Sequence, residues 1–520
     1  MSPWPITIML PHGLAVGGVT TWAVQLAGAL AEKGREVRLV VHEDGSNYAQ
    51  LPAARIAPAV RLVHAAGLTT ATGRQEALRA YRRLLPTVLL PNLLAEGYAV
   101  AASLALTLPE KVRVVAWNHS DNAYDYTYLA YYEPIVQQFV PVSRRCTEEL
   151  ACRMPARIDA IHHVPYGVHV PPPQDREALG ERPIRLVYAG RMEQAGKRVL
   201  GYVDLARALD ARGVRFELRL VGDGPQAGEL RRRIAALAGT LRHAENRVWL
   251  EPAVSHERIA SVWQWADAAL LNSTREGFSI SMVESMAAGC VPIVSRVASG
   301  VDDIVIDGQT GLTFPVDDID ALADCVARLA RGEADWRKMS DAACGAARRH
   351  CDYDQFLGRV MHILDEAQAG PPRAWPIDRP LVMNATTSGC GGLPTDAAGR
   401  LERLLESLAQ RGEEPVAIFG AGRHTRALAD VWARSPVRIA GVIDDGYEQN
   451  GSRLWGWPIV TPEAAAALGP RAVVISSRMH EAEIYERHQA RFSAAGMTLY
   501  RLYGDMPAER TGAVEDAAKA

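Results

Sequence analysis

The chain has 520 residues, 48% hydrophobic and 22% charged, with a formal net charge of −3. That length is too great for one ordinary core and predicts about three domains. The near-neutral balance gives no bulk electrostatic reason to expect nucleic acid as a partner. Seven cysteines without C-x-x-C spacing read as reduced thiols, not a disulfide framework or zinc site.

In chain order, ITIML at 6–10 reads as a first strand and not a signal peptide. A helical stretch from Thr20 to Lys33 follows, Gly34 stops it, and EVRLVVHE is the next strand. This is a βαβ unit, the building block of parallel sheets covered by helices. TVLLP near 87–91, VRVVAWN at 112–118 and QFVPVS at 138–143 continue the series. The PPP run at 171–173 reads as a linker. The pattern then restarts with IRLVYAG at 184–190, FELRLVGDG at 216–224, RVWLEPAV at 247–254, AALLNS at 268–273 and VPIVS at 291–295. One sheet would be overloaded by all these strands, so two doubly wound domains are expected. A third restart brings VAIFGAG at 416–422, RIAGVIDD at 438–445 and AVVISS at 472–477. The expected divisions are 1–172, 183–350, a helix at 351–370 returning to the first domain, a linker at 371–398, a third domain at 399–506 and a tail at 507–520. No window of 18 apolar residues predicts a transmembrane helix.

The strongest chemical signal is TREGFSISMVESMAAGC, between the strands AALLNS and VPIVS. Glu276 falls in the loop past a strand's carboxyl end, where α/β folds bind ligands. Gly277 permits close backbone approach. Phe278 and Ser279 lead into a helix whose free N–H groups attract phosphate. Glu284 lies about a turn and a half into that helix, placed to accept two ribose hydroxyls. In GRMEQAGKRV, Arg191 and Lys197 offer a fork of donors and a point charge to a diphosphate. Gly17-Gly18 opens a helix after the first strand, and His119 follows VRVVAWN. The competing accounts are a helix start with ordinary glutamates, a solvated basic loop, a tight turn and a structural histidine.

The 276–284 segment resembles the E-x7-E signature of the retaining family-4 glycosyltransferases (glycosyl transferases group 1), which have the GT-B fold of two facing Rossmann-like domains. The resemblance implies that Glu276 lies near the donor sugar and that Glu284 binds the nucleotide ribose. It implies that Arg191 and Lys197 bind the donor diphosphate and that Gly17 and Gly18 lie near donor phosphate and acceptor. His119 would contact the donor sugar and help hold the transition state. FVPVSRRCTEEL at 139–150 and VPIVSRVASGVDDIVIDGQTGLTF at 291–314 extend the match, which covers about 5–365. The usual Asn-Gly-Val-Asp reads Tyr166-Gly167-Val168-His169 here. The family also implies no essential metal or other cofactor.

In YDYTYLAYY, Tyr124, Tyr128, Tyr131 and Tyr132 share a helical face, suited either to stacking on an acceptor or to packing. In the third domain, Gly420 and Gly422 precede a helix, Thr425 replaces the third glycine of G-x-G-x-x-G, and Asp444 ends the next strand. This domain resembles the small Rossmann-like modules of sugar-modifying and sugar-acyltransferase proteins, which implies either a nucleotide site or a scaffold. The expected function is retaining transfer of a sugar from a nucleotide-diphosphate sugar to an acceptor hydroxyl in polysaccharide or glycoconjugate synthesis. The acceptor would be a carbohydrate or a lipid-linked molecule, and the place the cytoplasm or the inner face of a membrane. The alternatives are a dinucleotide-dependent oxidoreductase using the third domain and a non-catalytic scaffold.

Overall fold

The computed structural model describes residues 2–15, 17–43, 50–68, 70–92, 95–172, 179, 182–237, 239–254, 256–274, 276–297, 299–383, 397–422, 424–425, 428–445, 453–477 and 481–503. Residues 384–396 of the expected second linker and all of the expected tail lie outside them. Two compact units divide the chain, 1–383 and 384–520.

The first unit holds two six-stranded parallel sheets. One is built from β1 (Ile6–Leu10), β2 (Val37–Glu43), β3 (Arg61–Ala66), β4 (Thr87–Leu90), β5 (Val112–Asn118) and β6 (Val136–Pro141), in the order β3-β2-β1-β4-β5-β6. The other uses β7 (Ile184–Ala189), β8 (Phe216–Val221), β9 (Arg247–Glu251), β10 (Ala268–Leu271), β11 (Val291–Ser295) and β12 (Leu312–Phe314), in the order β12-β11-β10-β7-β8-β9. Both reverse direction next to their first strand, β1 or β7. That is where a doubly wound sheet opens a crevice at its strands' carboxyl ends. Central strands such as β4, β5 and β10 are buried along their whole length, as expected where helices cover both faces.

The helix Gly18–Glu32 follows β1 and ends before Gly34, which at φ +80° takes a conformation natural to glycine. The helix Tyr353–Ala369, capped by the Asp352 carboxylate on the Gln355 amide, packs on β4, β5 and β6. Its apolar face shares one continuous core with Ile8 and Trp117 of the first sheet and Phe278 and Met282 of the second half. Residues 371–383 then lie against the first sheet's helices. Trp375 stacks beside Tyr131 and Tyr132, and Tyr131 Oη donates to Pro380 O at 2.6 Å. The tyrosine-rich helix Ala123–Tyr131 is therefore packed: Tyr128 and Tyr132 are buried and in contact with Tyr98.

The second unit contains β13 (Val416–Phe419), β14 (Ile439–Ile443), β15 (Arg453–Leu454), β16 (Trp457–Val460), β17 (Ala472–Ile475) and β18 (Thr498–Arg501). Their order is β15-β16-β14-β13-β17-β18, parallel except for the β15–β16 pair. It has its own apolar clusters on the two faces of the sheet. No helix among the described residues is long and apolar enough to cross a membrane. The six described cysteines are all free thiols.

Candidate active site

In the second sheet, the loops after β7 and β10 are fastened together. The Thr274 amide donates to Gly196 O at 2.9 Å, joining the β10 exit to the short helix Gln194–Lys197. Glu276, its side chain 7% exposed, accepts from the Ser273 hydroxyl at 2.6 Å and pairs with the Lys197 ammonium. Arg191 is half-exposed, and its guanidinium lies 3.7 Å from Glu193. The Ser279 side chain makes no cap hydrogen bond to the helix Ile280–Ala287. That leaves the first-turn amides of an eight-residue helix without a side-chain acceptor from their own N-cap. Burial pushes the Glu284 carboxyl up to about 7, partly offset by the Trp263 indole.

In the first sheet, His119 is carried past the carboxyl end of β5 and is buried at 7% exposure. Its Nδ1 lies 2.6 Å from Tyr166 Oη and its Nε2 lies 3.2 Å from Asn92 Oδ1. The Trp22 ring meets the imidazole edge-on at 4.8 Å. Burial lowers its pKa to about 3, so the ring is neutral at physiological pH. Asn92, Trp22 and Ser273 were missed in the sequence. Asn92 and Ser273 follow the carboxyl ends of β4 and β10, and the strand-end rule that drew attention to His119 finds them too.

The two half-sites face each other closely. A Cβ on Gly277 would sit 2.3 Å from His119 O and 2.7 Å from Ser120 Cα, so only glycine allows these loops to meet. A Cβ on Gly17 would lie 3.6 Å from Arg191 Nη2, and one on Gly18 would lie 3.9 Å from Ile280 Cδ1. The glycine pair therefore looks onto the arginine and onto the start of the helix that carries Glu284. Asp303 adds a clasp: its carboxylate accepts from the Arg144 amide at 2.8 Å, at the N-terminus of the helix Arg144–Arg153. Gly17 thus approaches Arg191, Gly18 the start of the helix Ile280–Ala287, and Gly277 the His119–Ser120 backbone, while Lys197 pairs with Glu276.

Residues 183–331 match the family described as glycosyl transferases group 1. The first unit's fold is GT-B. The Streptomyces kanamyceticus alpha-D-kanosaminyltransferase is 33% identical over 30% of this chain, which spans only 38% of that relative. A D-inositol 3-phosphate glycosyltransferase from Xylanimonas cellulosilytica is 25% identical, covering 68% of this chain and 93% of the relative. A variant of S. aureus TarM, solved with fondaparinux, alpha-GlcNAc-glycerol and UDP, aligns over 70% of this chain and 100% of its own. Its TM-score is 0.57 at 9% identity, a likeness of fold. The group 1 segment contains Arg191, Lys197, Glu276 and Glu284, and the GT-B partner sheet brings Gly17, Gly18 and His119.

The second unit brings Gly420 and Asp444 together at the ends of β13 and β14. Asp444 Oδ2 accepts from the Ala421 amide at 2.6 Å. Thr425 Oγ1 donates to Gly420 O at 2.6 Å and is fully buried, so the third-glycine position is a hydroxyl tie. Gly422 is exposed, with open space where a Cβ would be. Among the described residues no group of three or more His, Cys, Asp or Glu is arranged to hold a metal ion.

Proposed function

We propose that the chain is a retaining glycosyltransferase that moves a sugar from a nucleotide-diphosphate donor to an acceptor hydroxyl. One observation carries the reading. Two cations, a helix start and the Glu276 carboxylate lie at the exits of β7 and β10, with Arg191 close to Gly17 and Gly277 against the backbone of the buried His119. Arg191, Lys197 and the first-turn amides of the helix after Ser279 suit a diphosphate, and Glu284 suits the ribose. Gly277, Phe278 and Glu276 border the place of the donor sugar.

As the sugar–phosphate bond breaks, negative charge grows on the leaving diphosphate. Fixed cations there stabilise that state more than the ground state. The acceptor hydroxyl enters from the side of Gly18 and His119. Its oxygen forms the new bond to the sugar's anomeric carbon, and its proton passes to the leaving phosphate oxygen. Attack on the face that the diphosphate leaves retains configuration. His119, held neutral, acts by hydrogen bonding and not as an acid. No metal or other cofactor enters these steps. The acceptor class is a carbohydrate or lipid-linked hydroxyl, handled in the cytoplasm or at a membrane's inner face.

The test is transfer with a panel of UDP-, GDP-, ADP- and dTDP-sugars, with the product anomer read by NMR and donor binding by thermal shift. A retained anomer from one donor supports the reading; no transfer and no stabilisation by any donor would sink it. A separate nucleotide site is proposed for the second unit at Gly420, Gly422 and Asp444, with Asp444 bracing the glycine loop through Ala421. Saturable binding of NADH or UDP that disappears in Gly422→Asp, while transfer is unchanged, is its test.

A further inference from the structure

The hydrogen bonds around His119 form a chain with one consistent direction. Asn92 Nδ2 donates to Met9 O at 3.1 Å, and a carbonyl only accepts. The amide orientation is therefore set, and its oxygen faces His119 Nε2 at 3.2 Å. That oxygen accepts, so Nε2 bears the proton. A neutral imidazole then has Nδ1 as its acceptor, and Tyr166 Oη, 2.6 Å away, donates to it.

Tyr166 is itself held from several sides. A Cβ on Gly167 would strike Phe356 Cβ at 2.6 Å, so glycine lets this segment lie flat on the helix Tyr353–Ala369. The Val168 amide donates to Cys351 O at 2.7 Å. The Tyr166 ring stacks parallel to His119 at 6.1 Å and meets Phe278 of the donor loop edge-on at 5.8 Å. A residue between the imidazole and the donor loop thus holds both.

We propose that Asn92 and Tyr166 are positioning residues for transfer: the Asn92 oxygen, which only accepts, fixes the tautomer of His119 with its proton on Nε2, and the Tyr166 hydroxyl occupies Nδ1, so that the ring never serves as a base through that nitrogen. The kinetic part rests on the transferase reading; the tautomer does not.

The experiment is long-range ¹⁵N–¹H NMR on the ¹⁵N-histidine-labelled full chain, with the His119 signals assigned by their loss in His119→Asn. The wild type is expected to show a protonated Nε2 and a bare Nδ1 throughout about pH 5 to 8. Asn92→Ala is expected to mix the two tautomers, because the remaining Tyr166 hydroxyl can donate or accept. Asn92→Ala should lower kcat roughly tenfold, the scale of one buried hydrogen bond, with donor KM within about twofold. Tyr166→Phe is expected to keep the wild-type tautomer, because Asn92 Oδ1 still accepts from Nε2. A protonated Nδ1 in the wild type or in Tyr166→Phe would overturn the proposal. So would an Asn92→Ala variant with unchanged spectrum and kcat. A protein that transfers no sugar yet shows the expected tautomer would defeat the transferase reading and leave the tautomer assignment standing.

Discussion

Glu284 shows how much a single carboxyl can depend on its surroundings. Its ordinary value of 4.5 is pushed to about 7 by burial, so the folded chain holds its proton across the acidic range. Ribose hydroxyls donate best to the ionised form. Donor affinity should therefore rise as pH increases through about 7, and Glu284→Gln should flatten that dependence; donor KM between about pH 6 and 8 is the measurement. The stability consequence has the opposite sign. A raised carboxyl pKa favours folding fully below 4.5, and this contribution is lost as pH rises through about 7. Lys197 gives a simpler case. Lys197→Ala should weaken donor binding about 10- to 100-fold, the worth of a charge-assisted hydrogen bond. It also strands Glu276, now partnered by that ammonium, so titration calorimetry and Tm should fall together. Gly277→Ala adds a methyl group against the His119 carbonyl. It should cost about 1–3 kcal/mol and open the contact on which both half-sites depend; chemical denaturation and kcat/KM report the two effects.

At the scale of elements, the strands with continuous apolar runs were legible and most edge strands were not. β5 and β11 occupy the residues their sequences predicted. The missed strands were β3, β12, β15, β16 and β18, and four of these lie at sheet edges. An edge strand is half-covered, so RLVHAA in β3 mixes Arg and His with apolar residues, and β12 is only three residues long. The stretch after 370 misled in another way. The Pro, Gly, Thr and Ser content of 371–398 reads as linker, yet Trp375 is buried against tyrosines and Arg379 donates to Tyr131 O at 2.8 Å. Trp375→Ala should destabilise the first unit by about 3–5 kcal/mol in urea titration. A shift near zero would mean that this segment rests on the surface without contributing to stability.

On the scale of the molecule, each unit has its own sheets and its own apolar clusters. Calorimetry should resolve two transitions, and only one should move on adding a donor sugar nucleotide. A single transition, or equal shifts in both, would contradict independent folding of the units. What the sequence alone determined was local: the period of the strands, the glycine and proline punctuation, and which side chains follow a strand's carboxyl end. Those features depend on neighbours a few residues away. What only the tertiary structure decided was which strand ends meet. Lys197 reaches Glu276 across 79 positions, and His119 takes its two partners from 27 positions before it and 47 after it. Parallel pairing gathers the carboxyl ends of strands that are distant in the chain. The partners of each polar group, and how far each is removed from water, are therefore set by long-range register and not by local pattern.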